Sequence, residues 1–196
     1  MTLLKSESHS AQKAAQILLE GKIGILPTDT LYGFSGVCLL DGKKSGLDQK
    51  IDRIKKSQES KPLIELISSP QDIFRYAGQE IPEKVLKAWP GPLTVIVQNN
   101  SWYESVTGRK ATAFRCPGDE WIRNVVSLCA CPLYSTSANI SGKPVLETEE
   151  EILREFSGRI DLFVRDGDKK SALPSTIVSL EGGGLRLVRQ GAAKID

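Results

Sequence analysis

At 196 residues the chain has room for one large domain whose core needs no disulfide or metal staple, and too little for two full ones. Its 40% apolar and 26% charged residues fit a globular protein, no stretch approaches the roughly 18–20 apolar residues of a membrane helix, and a net charge of +2 gives no bulk signal for nucleic acid. In chain order, Ser10 to Leu19 reads as a helix with Ser8 or Ser10 as cap and Gly21 as stop. Ile23 to Leu26 is a short strand, the turn-rich Pro27 to Gly33 follows, and Phe34 to Leu40 resumes an apolar course. Lys44 to Lys56 has Leu47, Ile51 and Ile54 on one helical face.

Leu63 to Ile67 reads as a buried strand, Gln71 to Ala77 and Pro82 to Trp89 as short helices, and Leu93 to Val97 and Thr112 to Arg115 as strands. Glu120 to Cys129 is helical, Pro132 to Tyr134 extended, and Thr148 to Phe156 a helix opened by a Thr148/Glu151 capping box. Asp161 to Val164, Thr176 to Leu180 and Leu185 to Val188 close the chain as strands, the last two joined by the hairpin turn Glu181-Gly182-Gly183-Gly184. Strands and helices mix throughout, and the late hairpin argues for an α/β (mixed α+β) fold with a mixed sheet.

Four cysteines read as reduced thiols: Cys129-x-Cys131 lacks zinc-knuckle spacing, Cys38 and Cys116 have no nearby histidine, and no metal site is expected. The N-terminus lacks the apolar core of a signal peptide, so a cytoplasmic address is expected. His9 is the one histidine, so no triad scheme has its usual base and catalysis must run on positioning and charge. Gly36 to Lys43 imitates a phosphate-binding loop with the wrong spacing, and no G-x-G-x-x-G opens a helix.

Five segments place hydroxyls or cations at or just after strand ends, where an open α/β sheet binds ligands. They are Pro27-Thr28-Asp29-Thr30, the basic run from Arg53 to Pro62, Arg115-Cys116-Pro117, the run Ser135 to Ser141 with its four hydroxyls around Ala138-Asn139, and Pro174-Ser175-Thr176 with Arg189-Gln190-Gly191. Singly, each has a plainer reading as a turn, a solvated helix end or a surface ion pair. Together they resemble the YrdC-type threonylcarbamoyl-AMP synthases from about Ala11 to Ala192. The matching pieces are Pro27 to Gly33, Lys55 with Lys61-Pro62-Leu63-Ile64, Pro90-Gly91-Pro92-Leu93-Thr94, Phe114 to Pro117, Ser135 to Gly142, Pro174 to Val178 and Arg189 to Ala192.

The resemblance implies a single YrdC-like domain over residues 1–196, in the short form without a further C-terminal domain. Its expected architecture is a twisted open mixed sheet with flanking helices around a large concave cavity. The implied reaction joins L-threonine, bicarbonate and ATP into threonylcarbamoyl-AMP and pyrophosphate, with Mg²⁺ on the phosphates. By the same resemblance Lys55, Ser137, Asn139 and Arg189 hold ATP, with Lys55, Ser137 and Asn139 the catalytic set. Thr30, Tyr32, Arg115, Ser135 and Ser175 hold threonine. A tRNA threonylcarbamoyltransferase complex would take the product, with tRNA or double-stranded RNA as further partners.

The chain departs from the family at two positions. Ser57 stands where an arginine is usual, so Lys56 or Arg53 would have to supply that cation, and Leu66 stands where many relatives carry histidine. Two other readings remain. One is an RNA-binding module using Lys43, Lys44, Lys50, Arg53, Lys55, Lys56 and Lys61, a patch diluted by Asp41, Asp48, Asp52 and Glu59. The other is a paralogue acting on another carbamoyl-adenylate, as hydrogenase-maturation carbamoyltransferases do.

Overall fold

The computed structural model describes residues 1–58 and 62–194. In chain order its strands are β1 (Thr2–Leu4), β2 (Gly24–Leu26), β3 (Gly33–Val37), β4 (Leu39–Leu40), β5 (Lys43–Lys44), β6 (Ile64–Leu66), β7 (Leu93–Gln98), β8 (Ala111–Arg115), β9 (Leu133–Ser137), β10 (Leu162–Arg165), β11 (Thr176–Ser179) and β12 (Arg186–Arg189). The helices are α1 (Ser10–Leu19), α2 (Leu47–Ile54), α3 (Glu83–Lys87), α4 (Ser101–Thr107), α5 (Glu120–Cys129) and α6 (Glu149–Phe156), with a 3₁₀ turn at Pro70–Arg75. Among the described residues, ten strands form one mixed sheet in the order β1-β10-β2-β3-β9-β6-β8-β7-β11-β12. The β6/β8 and β7/β11 pairs are parallel, while β3/β9, β9/β6 and β8/β7 are antiparallel.

Sequence signals account for most of these elements. The Thr148/Glu151 capping box forms as its spacing predicts, and the 181–184 turn joins the antiparallel pair β11 and β12. Helix α1 has the predicted bounds, but its N-cap is His9 in the left-handed region, with neither serine capping it by a side chain. Helix α2 is shorter at its start than predicted, because Lys43–Lys44 turn back against Leu39–Leu40 as a small hairpin. The Gln71 to Ala77 segment forms a 3₁₀ turn, opened by Pro70 and boxed by Ser69 and Asp72. Besides that hairpin, two elements escaped the pattern: β1, too short to show periodicity, and α4, capped by Asn100.

Two apolar clusters hold the sheet. One packs α1, α2, α5 and α6 against β2, β3, β9 and β10 through residues such as Leu18, Phe34, Ile122 and Phe156; the other gathers Ile73, Val85, Val95, Tyr103 and Phe114. Each fully buried Leu, Ile or Phe contributes about 1.5–3 kcal/mol. Glu65 of β6 is fully buried and accepts hydrogen bonds from Arg109 Nη2 and from the Tyr103 hydroxyl, so an ion pair ties strand β6 to α4 and the approach to β8. All four cysteines are free thiols, and among the described residues no helix is long and apolar enough to cross a membrane.

Candidate active site

The register of the central strands brings their hydroxyl-bearing ends together. Gly33 opposes Ser137, Ile64 opposes Ser135, and Leu66 opposes Arg115. Over them lies a cavity of about 430 Å³, lined by Thr28, Thr30 to Gly33, Pro62 to Ile64, Arg115, Ser135 to Ser137, Val145, Pro174, Ser175, Ile177 and Arg189. The volume suits a small-molecule site. Of the nine predicted site residues, Thr30, Tyr32, Arg115, Ser135, Ser137, Ser175 and Arg189 reach this wall, while Lys55 and Asn139 do not.

Arg115 is the buried cation of the site. Its Nε donates to Gly91 O at 3.2 Å, Nη1 to Thr30 Oγ1 at 2.8 Å and Nη2 to Asp29 Oδ1 at 2.6 Å. A guanidinium has five N–H donors, so one remains on each terminal nitrogen for a further acceptor. Burial lowers its pKa, an effect that Asp29 opposes. Thr28 Oγ1 donates to Leu31 O at 2.8 Å, so the 3.0 Å contact between Thr30 and Thr28 uses the Thr30 proton. Thr30 is thereby held with its oxygen toward Arg115.

Arg189 lines the cavity from the end of the edge strand β12. Its Nη2 donates to Ser175 O at 2.8 Å, and burial alone lowers its pKa. Ser175 Oγ shares a 2.8 Å bond with Thr94 Oγ1. The tail folds back over this corner through Gly191 N to Thr176 Oγ1 and Ala192 N to Pro174 O, both 2.9 Å. A Cβ at position 191 would stand 2.2 Å from Pro174 O. Gly191→Ala is therefore expected to push the tail off residues 174–176, costing about 1–3 kcal/mol and loosening Arg189. Urea unfolding and ATP binding would read the two effects, and an unchanged midpoint would remove Gly191 as a constraint.

Lys55 caps α2 and turns inward. Its Nζ donates to Ser137 O at 2.5 Å, Asn139 O at 2.9 Å and Asn139 Oδ1 at 3.0 Å. An ammonium has three donors, and these three oxygens use them all. Its carbonyl also accepts Ser141 N at 2.8 Å. Asn139 completes the knot, accepting from Ser137 Oγ at 2.7 Å and donating to Lys143 O at 2.6 Å. The resemblance implies Lys55 and Asn139 on ATP; neither is among the residues lining the cavity, and both hydrogen-bond within the loop around Ser137. Burial pulls the Lys55 pKa down to about 8, with Asp52 acting against it.

Tyr32 lines the cavity yet sends its hydroxyl elsewhere, donating to Gly167 O at 2.9 Å and contacting Glu149 Oε1 at 3.1 Å. Burial, the largest influence, pushes its pKa well up and keeps the phenol neutral. The serines at 135 and 137 sit on strand β9, not in the turn that their composition suggests. Leu66 is fully buried and outside the cavity wall, so the position where relatives carry histidine does not face the site. The lysine patch of the RNA-binding reading is broken up: Lys55 is buried, Lys44 pairs with Asp48 at 2.7 Å, and Lys61 lies outside the described residues.

Sequence reasoning missed Thr28, whose oxygen orients Thr30, and the apolar liners Leu31, Leu63, Val145 and Ile177. Thr28 stood inside a quoted segment, whereas apolar liners carry the same periodic signal as core.

Comparison with known proteins places this cavity in context. A relative from Methanocaldococcus jannaschii is 33% identical over 181 residues, covering 91% of this chain and 84% of the relative. The threonylcarbamoyl-AMP synthase of Pyrococcus abyssi is 30% identical over 196 residues, 97% of this chain, which spans 56% of that relative's length. The crystal structure of P. abyssi Sua5 complexed with L-threonine superposes with a TM-score of 0.83 at 28% identity, over 97% of this chain and 57% of that one. The profile of the Sua5/YciO/YrdC family, described as "Telomere recombination", matches residues 16–191. With the mixed sheet, the hydroxyl-lined cavity and the match across most of its length, the chain belongs to the Sua5/YciO/YrdC family.

Proposed function

We propose that the chain is an L-threonylcarbamoyladenylate synthase, a nucleotidyltransferase that makes threonylcarbamoyl-AMP and pyrophosphate from L-threonine, bicarbonate and ATP. The observation that carries this reading is one cavity holding two guanidinium groups, Arg115 and Arg189, over a floor of serine and threonine hydroxyls. The names of the relatives and the threonine bound in the P. abyssi structure support it.

The chemistry suits a site without histidine. Threonine's amine adds to carbon dioxide with loss of a proton, or condenses with bicarbonate with loss of water, and the resulting carbamate oxygen attacks the α-phosphorus, expelling pyrophosphate. The carbamate is already an anion, so the second step needs no strong protein base. What it needs is two anions held close and the growing phosphate charge spread out.

In this reading Arg115 takes the threonine carboxylate on its two spare N–H groups, with Thr30, Ser135 and Ser175 around the amino acid and Tyr32 closing its floor. Arg189 and the Ser137 hydroxyl face ATP. Lys55 and Asn139 act by holding the Ser137 loop in shape. No group of three or more His, Cys, Asp or Glu side chains that could hold a metal occurs among the described residues. Mg²⁺ is taken in this reading as arriving on the ATP, as part of the substrate. By family resemblance the product, a reactive carbamoyl-phosphate anhydride, would pass to a tRNA-modifying transferase complex.

Purified protein with MgATP and bicarbonate is expected to release pyrophosphate only when L-threonine is present. Equal release with serine, or with no amino acid, would overturn the substrate assignment.

A further inference from the structure

We propose that Asp29 is a positioning residue: its carboxylate fixes the plane in which Arg115 meets the carboxylate of the amino-acid substrate. The identity of that ligand rests on the synthase reading, whereas the coupling between Asp29 and Arg115 rests on geometry alone.

Asp29 does not line the cavity. It pairs with Arg115 at 2.6 Å with its side chain 19% exposed, while the Arg115 side chain is 5% exposed. Of the three bonds that Arg115 makes, two go to neutral oxygens, Gly91 O and Thr30 Oγ1, and the third goes to Asp29. Two bonds leave a planar group free to pivot about the line joining them. The third stops the pivot and is the one carrying charge, which makes it the strongest of the set. The two remaining N–H groups then point along a set direction.

The surroundings specify Asp29 in turn. A Cβ on Gly118 would stand 2.9 Å from Asp29 Oδ2, so glycine there leaves room for the carboxylate. The 117–118 turn is itself pinned by Arg123, whose Nη1 donates to Pro117 O and Gly118 O, both at 2.9 Å. A chain of contacts thus runs from α5 through the turn and Asp29 to the guanidinium in the cavity wall.

Two effects of the Asp29 charge oppose each other. It holds Arg115 in place, and it competes with an incoming carboxylate for the same cation. Orientation is the larger effect here because Arg115 is buried: without its counter-ion the guanidinium is an uncompensated internal charge that turns toward water and leaves its partners.

The test compares Asp29→Ala, Asp29→Asn, Arg115→Ala and the Asp29→Ala/Arg115→Ala double variant. Asp29→Ala is expected to raise the threonine KM about tenfold, the loss of one charged hydrogen bond, with kcat at saturating threonine and the ATP Kd unchanged. Asp29→Asn keeps an acceptor oxygen but not the charge, so it is expected to recover only part of the affinity, between Asp29→Ala and the wild type. The double variant is no weaker than Arg115→Ala alone, because Asp29 acts only through Arg115. Threonine affinity that is unchanged or tighter in Asp29→Ala, or a further loss in the Arg115→Ala background, would overturn the proposal. A second readout needs no substrate: the Arg115 Nε–H resonance of arginine-labelled protein exchanges slowly in the wild type and is lost to fast exchange in Asp29→Ala. Its persistence there also overturns the proposal. Failure of the wild type to use threonine would instead sink the synthase reading and leave this readout decisive for Asp29.

Discussion

Replacing Glu65 by alanine is expected to cost about 3–5 kcal/mol of folding stability, the penalty for leaving a buried charge without its partner. Glu65 is fully buried, and its two carboxylate oxygens hold Arg109 and Tyr103. With the carboxylate gone, Arg109 keeps a side chain only 17% exposed and loses its counter-ion. Urea unfolding would show the midpoint falling, and Glu65→Gln would fall between, since an amide can still accept one of the two bonds. Exposed pairs such as Lys87 with Glu83 set the contrast: neutralising Lys87 should leave the midpoint where it was. A Glu65→Ala protein as stable as wild type would mean that the ion pair adds nothing over a dry contact at this seam between the two apolar clusters.

Lys55→Ala is expected to weaken ATP binding about ten- to a hundredfold, although Lys55 is not among the cavity-lining residues, because two carbonyls and the Asn139 amide oxygen lose a charged donor. Lys43→Ala, on the outer hairpin, should change nothing. The pH dependence carries a second signature. Burial lowers the Lys55 pKa in the folded protein to about 8 from 10.5, so between those values the unfolded chain binds more protons than the folded one. Stability from this group therefore rises as pH climbs through that window. ATP affinity should move the other way, falling as pH passes about 8 and the ammonium becomes an amine with one donor fewer. Calorimetric titration of ATP from pH 7 to 9.5 would show it in the wild type and not in Lys55→Met. A flat wild-type profile would refute the clamp.

The orientation of Lys55 marks where sequence reading stopped. A lysine at a helix end has four flexible carbons, and nothing in neighbouring residue types says whether it reaches solvent, a ligand or a loop 82 positions away. Capping boxes, the Gly-rich hairpin and the 3.6-residue apolar faces were legible because they are local. The polar strand β9 was not: with Ser135, Thr136 and Ser137 under a cavity, alternation of apolar and polar residues breaks down where the sheet face is lined for binding. Helix α4 hid for a related reason, since Trp102 is half exposed and Tyr103 fully buried in a segment too short for a clear stripe. The convergence of Thr30, Arg115, Ser137 and Arg189 could be anticipated only from the order of the segments, because the register that joins them is set by strands far apart in the chain.

The strand order β3-β9-β6 places a late segment between two early ones, and β1 pairs with β10. During synthesis the central ladder cannot close until Ser137 has left the ribosome, and the first strand waits for Arg165. Long-range pairings of this kind fold slowly and hold unpaired edges open to other chains in the meantime. The nascent polypeptide thus has a long interval in which a chaperone, or a neighbouring copy, can reach its unfinished edges.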